Sequence, residues 1–292
     1  MEIEKYLEVG LLATKKAKEI LLNYFEKNKN LKIDEKSKND FVTQADKESE
    51  KVIINTILNF FPNHKIYAEE SEHNLDKLKD GDIIWIIDPL DGTKNFIHHI
   101  PIFGTSIGVA KFSLKYKEGY YPFKKGYIKL LTGIINLPVL DELFFCKLNE
   151  GAYKNFSKIK VSSRPLSKAL VATGFPFRLK HVVDKYLKSF KEVFLKVAGI
   201  RRMGSAAIDL AYTAAGYFDA FWEHNLHPWD IAAGILLIKE AGGEVSDFLG
   251  KNNMFISGNI IGTNKVCYNE FLNIFKYNKK YPWRFRKIKG GI

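Results

Sequence analysis

Ile83-Ile84-Trp85-Ile86-Ile87-Asp88-Pro89-Leu90-Asp91-Gly92-Thr93-Lys94-Asn95-Phe96 is the stretch on which the reading of the fold turns. An apolar run stops abruptly at two acids three positions apart. The run predicts a buried strand, and Pro89 with Gly92 ends it within a few residues. Two carboxylates are thereby held at a strand's C-terminal edge, where open α/β sheets place their ligands. Oxygen donors of this kind suit a hard cation such as Mg²⁺, which takes few protein carboxylates and keeps room for water and phosphate. A bare D-x-x-D-G also describes a solvated Asx turn, so the reading depends on partners elsewhere in the chain.

Those partners lie on both sides. A short strand-like stretch from His64 to Tyr67 ends in Ala68-Glu69-Glu70-Ser71. Asp40-Phe41-Val42-Thr43-Gln44-Ala45-Asp46 precedes an amphipathic segment, and His227-Pro228-Trp229-Asp230 opens a run of small and apolar residues that closes at Gly242-Gly243. Each acid sits where an apolar element meets a turn. Around them the spacing predicts helices over residues 4–27 and 46–60, the latter stopped by Pro62, and a short helix over 93–97. Strands are expected over 102–110, 133–145, 169–173 and 219–223. Residues 112–131, rich in Lys, Tyr and Phe, read as an extended hairpin or insertion. Further helices are expected over 182–196, from Gly204-Ser205-Ala206 with Ser205 as N-cap, and from Asp230 to the Gly242 stop.

Composition narrows the class. At 292 residues and 46% hydrophobic, the chain can bury one large core or two fused halves. No apolar stretch approaches the roughly 18 residues of a membrane span. The start Met-Glu-Ile-Glu-Lys has no basic region followed by an apolar core, so no signal peptide is expected. Cys146 and Cys267 form no metal-type cluster and suggest no oxidising compartment, which makes a cytoplasmic protein the expectation. The net charge of +12 fits anionic partners. Part of it is local: Lys276, Lys279, Lys280, Arg284, Arg286, Lys287 and Lys289 interleave with aromatics in residues 276–292. That tail reads as a solvated terminus docking a few aromatics, in preference to a nucleic-acid hook.

The D-P-L-D-G-T-x-N-F string, the E-E-S before it and the W-D-x-A-A-G…E-A-G-G after it resemble the inositol monophosphatase family in order and spacing, over roughly residues 1–275. The resemblance implies a single catalytic domain of two tightly fused halves, about 1–140 and 141–275, folded as a layered αβαβα sandwich of the inositol monophosphatase and fructose-1,6-bisphosphatase type. It implies a lithium-sensitive phosphomonoesterase with two or three Mg²⁺ ions per site, often a homodimer. Asn95, where relatives that cleave 3′-phosphoadenosine phosphates usually carry an acid, is similar to the inositol-phosphatase branch. Ala68 departs from the Gly common before the acid pair.

Roles follow residue by residue. Glu69, Asp88 and the Leu90 carbonyl would hold a first metal, and Asp88, Asp91 and Asp230 a second, the four carboxylates converging within a few ångströms. Thr93 with Asp46 would orient and deprotonate the attacking water; Asp46 also suits helix capping. Gly92 and Thr93 would meet phosphate oxygens with backbone amides. Gly204, Ser205 and Ala206 would let a ring approach, and Glu223 would accept from vicinal hydroxyls. Arg201 and Arg202 suit either a second phosphate or a salt bridge, and His98, His99 and His227 read as packing residues. The expected substrate is inositol monophosphate. Fructose 1,6-bisphosphate or another sugar phosphate is the enzymatic alternative. An RNA- or protein-binding module on a phosphatase scaffold is the alternative of another class.

Overall fold

Helices Glu2–Lys27 and Gln44–Phe60 lie on one face of a large sheet, where Leu7, Ala13, Ala17, Ile53 and Ile57 pack against Trp85, Ile87, Ile107 and Ile134. This computed structural model describes residues 2–27, 33–37, 40–71, 75, 77–177 and 180–276. The sheet's other face carries Ile84, Ile86, Ile135 and Leu137 onto helices Ala206–Ala214 and Pro228–Glu240. A second sheet lies beneath those helices. Its far face packs Val171, Trp222 and Ile261 against Tyr186, Val193, Phe271 and Phe275 of helices Val183–Phe194 and Tyr268–Lys276. Period-two alternation in the strands thus splits neighbouring residues between two cores. The result is the expected αβαβα layering. The basic tail beyond Lys276 lies outside the described residues.

The first sheet runs Ser157–Ile159, Gly151–Lys154, Glu142–Lys147, Gly126–Leu137, Gly104–Ser113, Ile83–Asp91, Lys65–Ala68, with Tyr121–Phe123 paired onto Gly126–Leu137. Among the described residues Lys65–Ala68 and Ile83–Asp91 are its one parallel pair; the other ladders are antiparallel. The sheet is therefore not the open parallel type invoked for the acids, which sit at the C-terminal ends of this single parallel pair. The second sheet runs Gly199–Arg201, Leu170–Thr173, Ala220–Glu223, Ile260–Thr263, Glu244–Ser246. The chain changes sheets between Ile159 and Leu170, beyond the boundary near residue 140.

Two element readings change. The strand expected over 133–145 is two strands, broken after Leu137 by a turn in which Asp141 adopts φ 52°. The last long helix begins at Pro228, not at Asp230: proline suits the first helical position, with His227 as the cap residue. The 112–131 segment does form a hairpin, and it buries Phe123 and Ile128 in the central core.

Helix Pro228–Glu240 sits close on the sheet. A Cβ at Gly133 would stand 2.7 Å from the Ala233 carbonyl oxygen, so glycine there sets the helix height. Ser106, the strand partner of Asp88, donates to the Trp229 carbonyl at 3.2 Å. These contacts fix where Asp230 stands relative to Asp88.

Candidate active site

Positions 88 and 91 are an odd number of residues apart, so a regular strand would send their side chains to opposite faces. A bulge removes the conflict: Asp88 pairs with Ser106 and Asp91 with Gly104, leaving one extra residue between them. Pro89 suits the bulge because it has no N–H to withhold from the ladder, and its carbonyl accepts from Thr105 Oγ1 at 3.1 Å. Asp88 Oδ1 accepts from the Leu90 amide at 3.0 Å. The Asx turn is real, but it is buried: Asp88 is 1% exposed. Gly92 follows with φ 96°, a conformation open to glycine, and turns the chain into helix Thr93–Ile97.

Glu69 arrives by the parallel strand. Its amide extends the ladder one step past Ala68, donating to the Ile87 carbonyl at 3.1 Å, so Glu69 emerges beside Asp88. Asp46 stands behind Thr93. Thr43 caps helix Gln44–Phe60, and Asp46 at its third position accepts from the Thr43 amide through Oδ2 at 2.8 Å. Oδ1 lies 3.2 Å from Thr93 Oγ1, whose one proton can go there or to the Leu90 carbonyl at 3.1 Å. Capping and the Thr93 contact therefore coexist in one carboxylate. Asp230, at the third position of its own helix, accepts from the His227 amide at 2.6 Å.

The second half of the chain closes the cavity. Ser205 caps helix Ala206–Ala214, as expected, accepting from the Ile208 amide at 3.3 Å. It also donates to Asp91 Oδ2 at 2.7 Å, and the Ala207 amide donates to the same oxygen at 2.7 Å. Asp91 thus serves the first turn of a helix in the opposite half. Asn95 adds a second tie, donating to the Ile102 and Met203 carbonyls at 2.6 and 2.9 Å. Glu223 ends its strand against Gly174, where a Cβ would fall 1.9 Å from Oε1. His99 packs on Phe25, and His227 stacks on Trp229 at 4.7 Å.

One cavity of ≈160 Å³ is lined by Glu69, Asp88, Leu90, Asp91, Gly92, Thr93, Gly204, Ser205, Ala206, Glu223 and Asp230. Sites for drug-sized ligands run to about 300–1,000 Å³, so this one suits a small polar headgroup. Asp46 does not line it. The sequence reading missed Asp209, His224, Lys94 and the Phe175–Phe177 turn in its wall; Arg202, read from the sequence as suiting a second phosphate or a salt bridge, lines it too, and Arg201 does not. Arg202 lies over the rings of Phe175 and Phe177 at 5.8 and 5.6 Å. Asp209 had a signal: it is the one acid in a helix of small apolar residues, one turn beyond Ser205.

Six acids and two cationic side chains face this cavity, in a chain whose net charge is +12. Burial, then Glu69, Asp91 and Asp230, push the Asp88 carboxyl well above its ordinary range. Asp209 is raised likewise, by burial and then by Glu223 and Asp91, with Arg202 opposing. His224 is pushed down to about 3 by burial, which keeps it neutral. Among the described residues no three acid, histidine or cysteine side chains are drawn tightly enough about one point to cage an ion as they stand; the carboxylates share a cavity without closing on it. The donor set is nevertheless oxygen-only, crowded and short of cations, which fits a hard divalent ion.

The layered sandwich is the architecture of solved inositol monophosphatases; that of Anabaena superposes with a TM-score of 0.77 at 32% identity, over 94% of this chain and 96% of that one. The chain belongs to the inositol monophosphatase family, whose model matches residues 2–278. It is 38% identical over 273 residues to the Nus factor SuhB of Pseudomonas aeruginosa, covering 92% of this chain and 95% of that one. It is 39% identical over 277 residues to the fructose-1,6-bisphosphatase/inositol-1-monophosphatase of Aquifex aeolicus, covering 94% and 96%. The crystal structure of extragenic suppressor protein suhB from Bartonella henselae superposes with a TM-score of 0.83 at 37% identity, over 93% of this chain and 98% of that one. Among the described residues no helix is long and apolar enough to cross a membrane.

Proposed function

We propose that this protein is an Mg²⁺-dependent phosphomonoesterase that hydrolyses inositol monophosphate to inositol and phosphate. One observation carries the reading: six acids against two cationic side chains line one small cavity, so a phosphate dianion entering it would be favoured by cations standing between the two. Glu69, Asp88 and the Leu90 carbonyl would hold one Mg²⁺, and Asp88, Asp91 and Asp230 another. Ions held there would supply charge neutralisation for the phosphate and a lowered pKa for a water molecule.

The chain's own groups supply the rest. Thr93 Oγ accepts a proton from the attacking water while passing its own to Asp46 Oδ1, the acceptor already within 3.2 Å. Asp46 stays oriented because its other oxygen is held by the Thr43 amide. The Gly92 and Thr93 amides donate to phosphate oxygens. Gly204, Ser205 and Ala206 flank the polyol ring, and Glu223 accepts from its hydroxyls, oriented by its seat against Gly174. Lithium inhibition and a homodimer belong to the same reading.

A panel of inositol monophosphate, fructose 1,6-bisphosphate and an aryl phosphate, each with and without Mg²⁺, tests this. The reading expects Mg²⁺-dependent release that is fastest with inositol monophosphate. Faster release from the bisphosphate would move the substrate to the alternative suggested by Arg202 at the cavity wall and by the Aquifex relative. A second reading, a nucleic-acid- or protein-binding role, draws on the charge of +12 and on relatives named Nus factor SuhB. Its sign is salt-sensitive RNA binding that survives Asp91→Asn.

A further inference from the structure

Glu50 is a buried acid that the proposed chemistry leaves unused. It is 3% exposed, lies one helical turn beyond Asp46 on helix Gln44–Phe60, and is absent from the cavity wall. Its Oε2 accepts from the Glu70 amide at 2.8 Å, and its Oε1 accepts from the Ser71 hydroxyl. Burying a carboxylate is costly unless donors meet it. An apolar side chain would cover the same patch of helix at less desolvation cost, but it would leave the Glu70 amide without this acceptor.

The geometry around Glu69 shows what the acceptor does. The peptide plane before Glu69 is anchored through the Glu69 amide to the Ile87 carbonyl, on the strand that carries Asp88. The plane after it is anchored through the Glu70 amide to Glu50, on the helix that carries Asp46. Peptide units are planar, so φ and ψ of a residue are the relation between its two flanking planes. Anchoring both planes therefore fixes the direction of the Glu69 Cβ and the arc its carboxylate can sweep.

We infer that Glu50 is a positioning residue that aims the Glu69 carboxylate into the cavity by holding the Glu69–Glu70 peptide plane and Ser71. The inference rests on the reading of Glu69 as a metal-holding carboxylate. Helix Gln44–Phe60 then serves the site twice, through Asp46 behind Thr93 and through Glu50 behind Glu69.

The test is Mn²⁺ binding to the full chain without substrate, followed by electron paramagnetic resonance, with a thermal melt of each variant. Glu50→Met removes both acceptor oxygens and is expected to weaken Mn²⁺ about tenfold, at the low end of the roughly 10–100-fold seen when a partner behind a metal-holding side chain is lost. Glu50→Gln restores binding to within about twofold, because its amide oxygen serves Glu70 and its NH₂ serves Ser71 Oγ. Glu69→Gln weakens Mn²⁺ by itself, and adding Glu50→Met to it costs nothing more, since Glu50 acts through Glu69. Should Glu50→Met fail to fold, Ser71→Ala removes one donor with no buried charge changed, and about a threefold loss is expected. Wild-type affinity in Glu50→Met, or in Ser71→Ala when it must stand in, alongside a weakened Glu69→Gln overturns the positioning role. So does an undiminished Glu50→Met effect in the Glu69→Gln background. Wild-type affinity in Glu69→Gln overturns the underlying metal reading and this inference with it.

Discussion

Gly174→Ala separates the polyol-binding role of Glu223 from the rest of the machinery. The added methyl would lie 1.9 Å from Glu223 Oε1, 2.0 Å from its Cδ and 2.2 Å from Oε2. Ordinary contact needs about 3.5 Å, so the carboxylate must withdraw by roughly 1.5 Å. Its backbone lies in the strand ladder with Ile260, so the side chain moves and the strand stays. A group that accepts from substrate hydroxyls cannot do so from that far, and a hydrogen bond to a charged acceptor contributes about 1.5–3 kcal/mol. The expected loss in kcat/KM for inositol monophosphate is therefore about 10–100-fold. An aryl phosphate has no hydroxyls for Glu223, and its turnover should change by less than about threefold. The assay is phosphate release from both substrates under saturating Mg²⁺. Equal losses on the two, or none on either, would refute the assignment of Glu223 to the polyol.

Thr93→Val removes the hydroxyl between the water and Asp46; kcat should fall about 10²–10⁴-fold with KM little changed, and a KM effect alone would contradict the relay. Asp88 and Asp209 are both raised in the fold. The native state therefore holds protons more tightly than the unfolded chain, and the stability these groups contribute is lost as pH rises through their raised values. Mg²⁺ competes with the Asp88 proton, so the rise in Tm on adding Mg²⁺ should be larger at pH 8 than at pH 5.5; scanning calorimetry at both values decides it. Gly133→Ala forces a methyl to 2.7 Å from the Ala233 carbonyl oxygen and should cost about 1–3 kcal/mol by urea denaturation; full stability would mean the helix is not seated as described.

Much of the site was legible because its chemistry is local. Asp88, Asp91 and Thr93 lie within six residues, and Pro89 and Gly92 announce a turn wherever they occur. What the pattern hid is how a turn and a strand coexist. The strand continues through Asp91 because a bulge absorbs Pro89 and Leu90, and no period-two count anticipates a bulge. The break after Leu137 was missed for a related reason: apolar Val139 and Leu140 continue the pattern through a turn, where they are 37% and 39% exposed. In the sequence the acid at 230 is the salient residue, but Pro228 sets the helix boundary. Glu50 was not legible from spacing, and Asp209 only as a lone acid in a helix of small apolar residues. Asp209 depends on which face of a buried helix meets the cavity, and Glu50 on which backbone amide its helix meets; both are properties of packing, not of spacing.

Calorimetric titration of Mg²⁺ into the wild-type chain and into Asp88→Asn tests the central claim most directly, because Asp88 is the buried carboxylate on which Glu69, Asp91 and Asp230 all act. Saturable binding in the wild type and none in the variant, with both folded, is the predicted result. Equal binding in the two, or none in the wild type, would contradict the account.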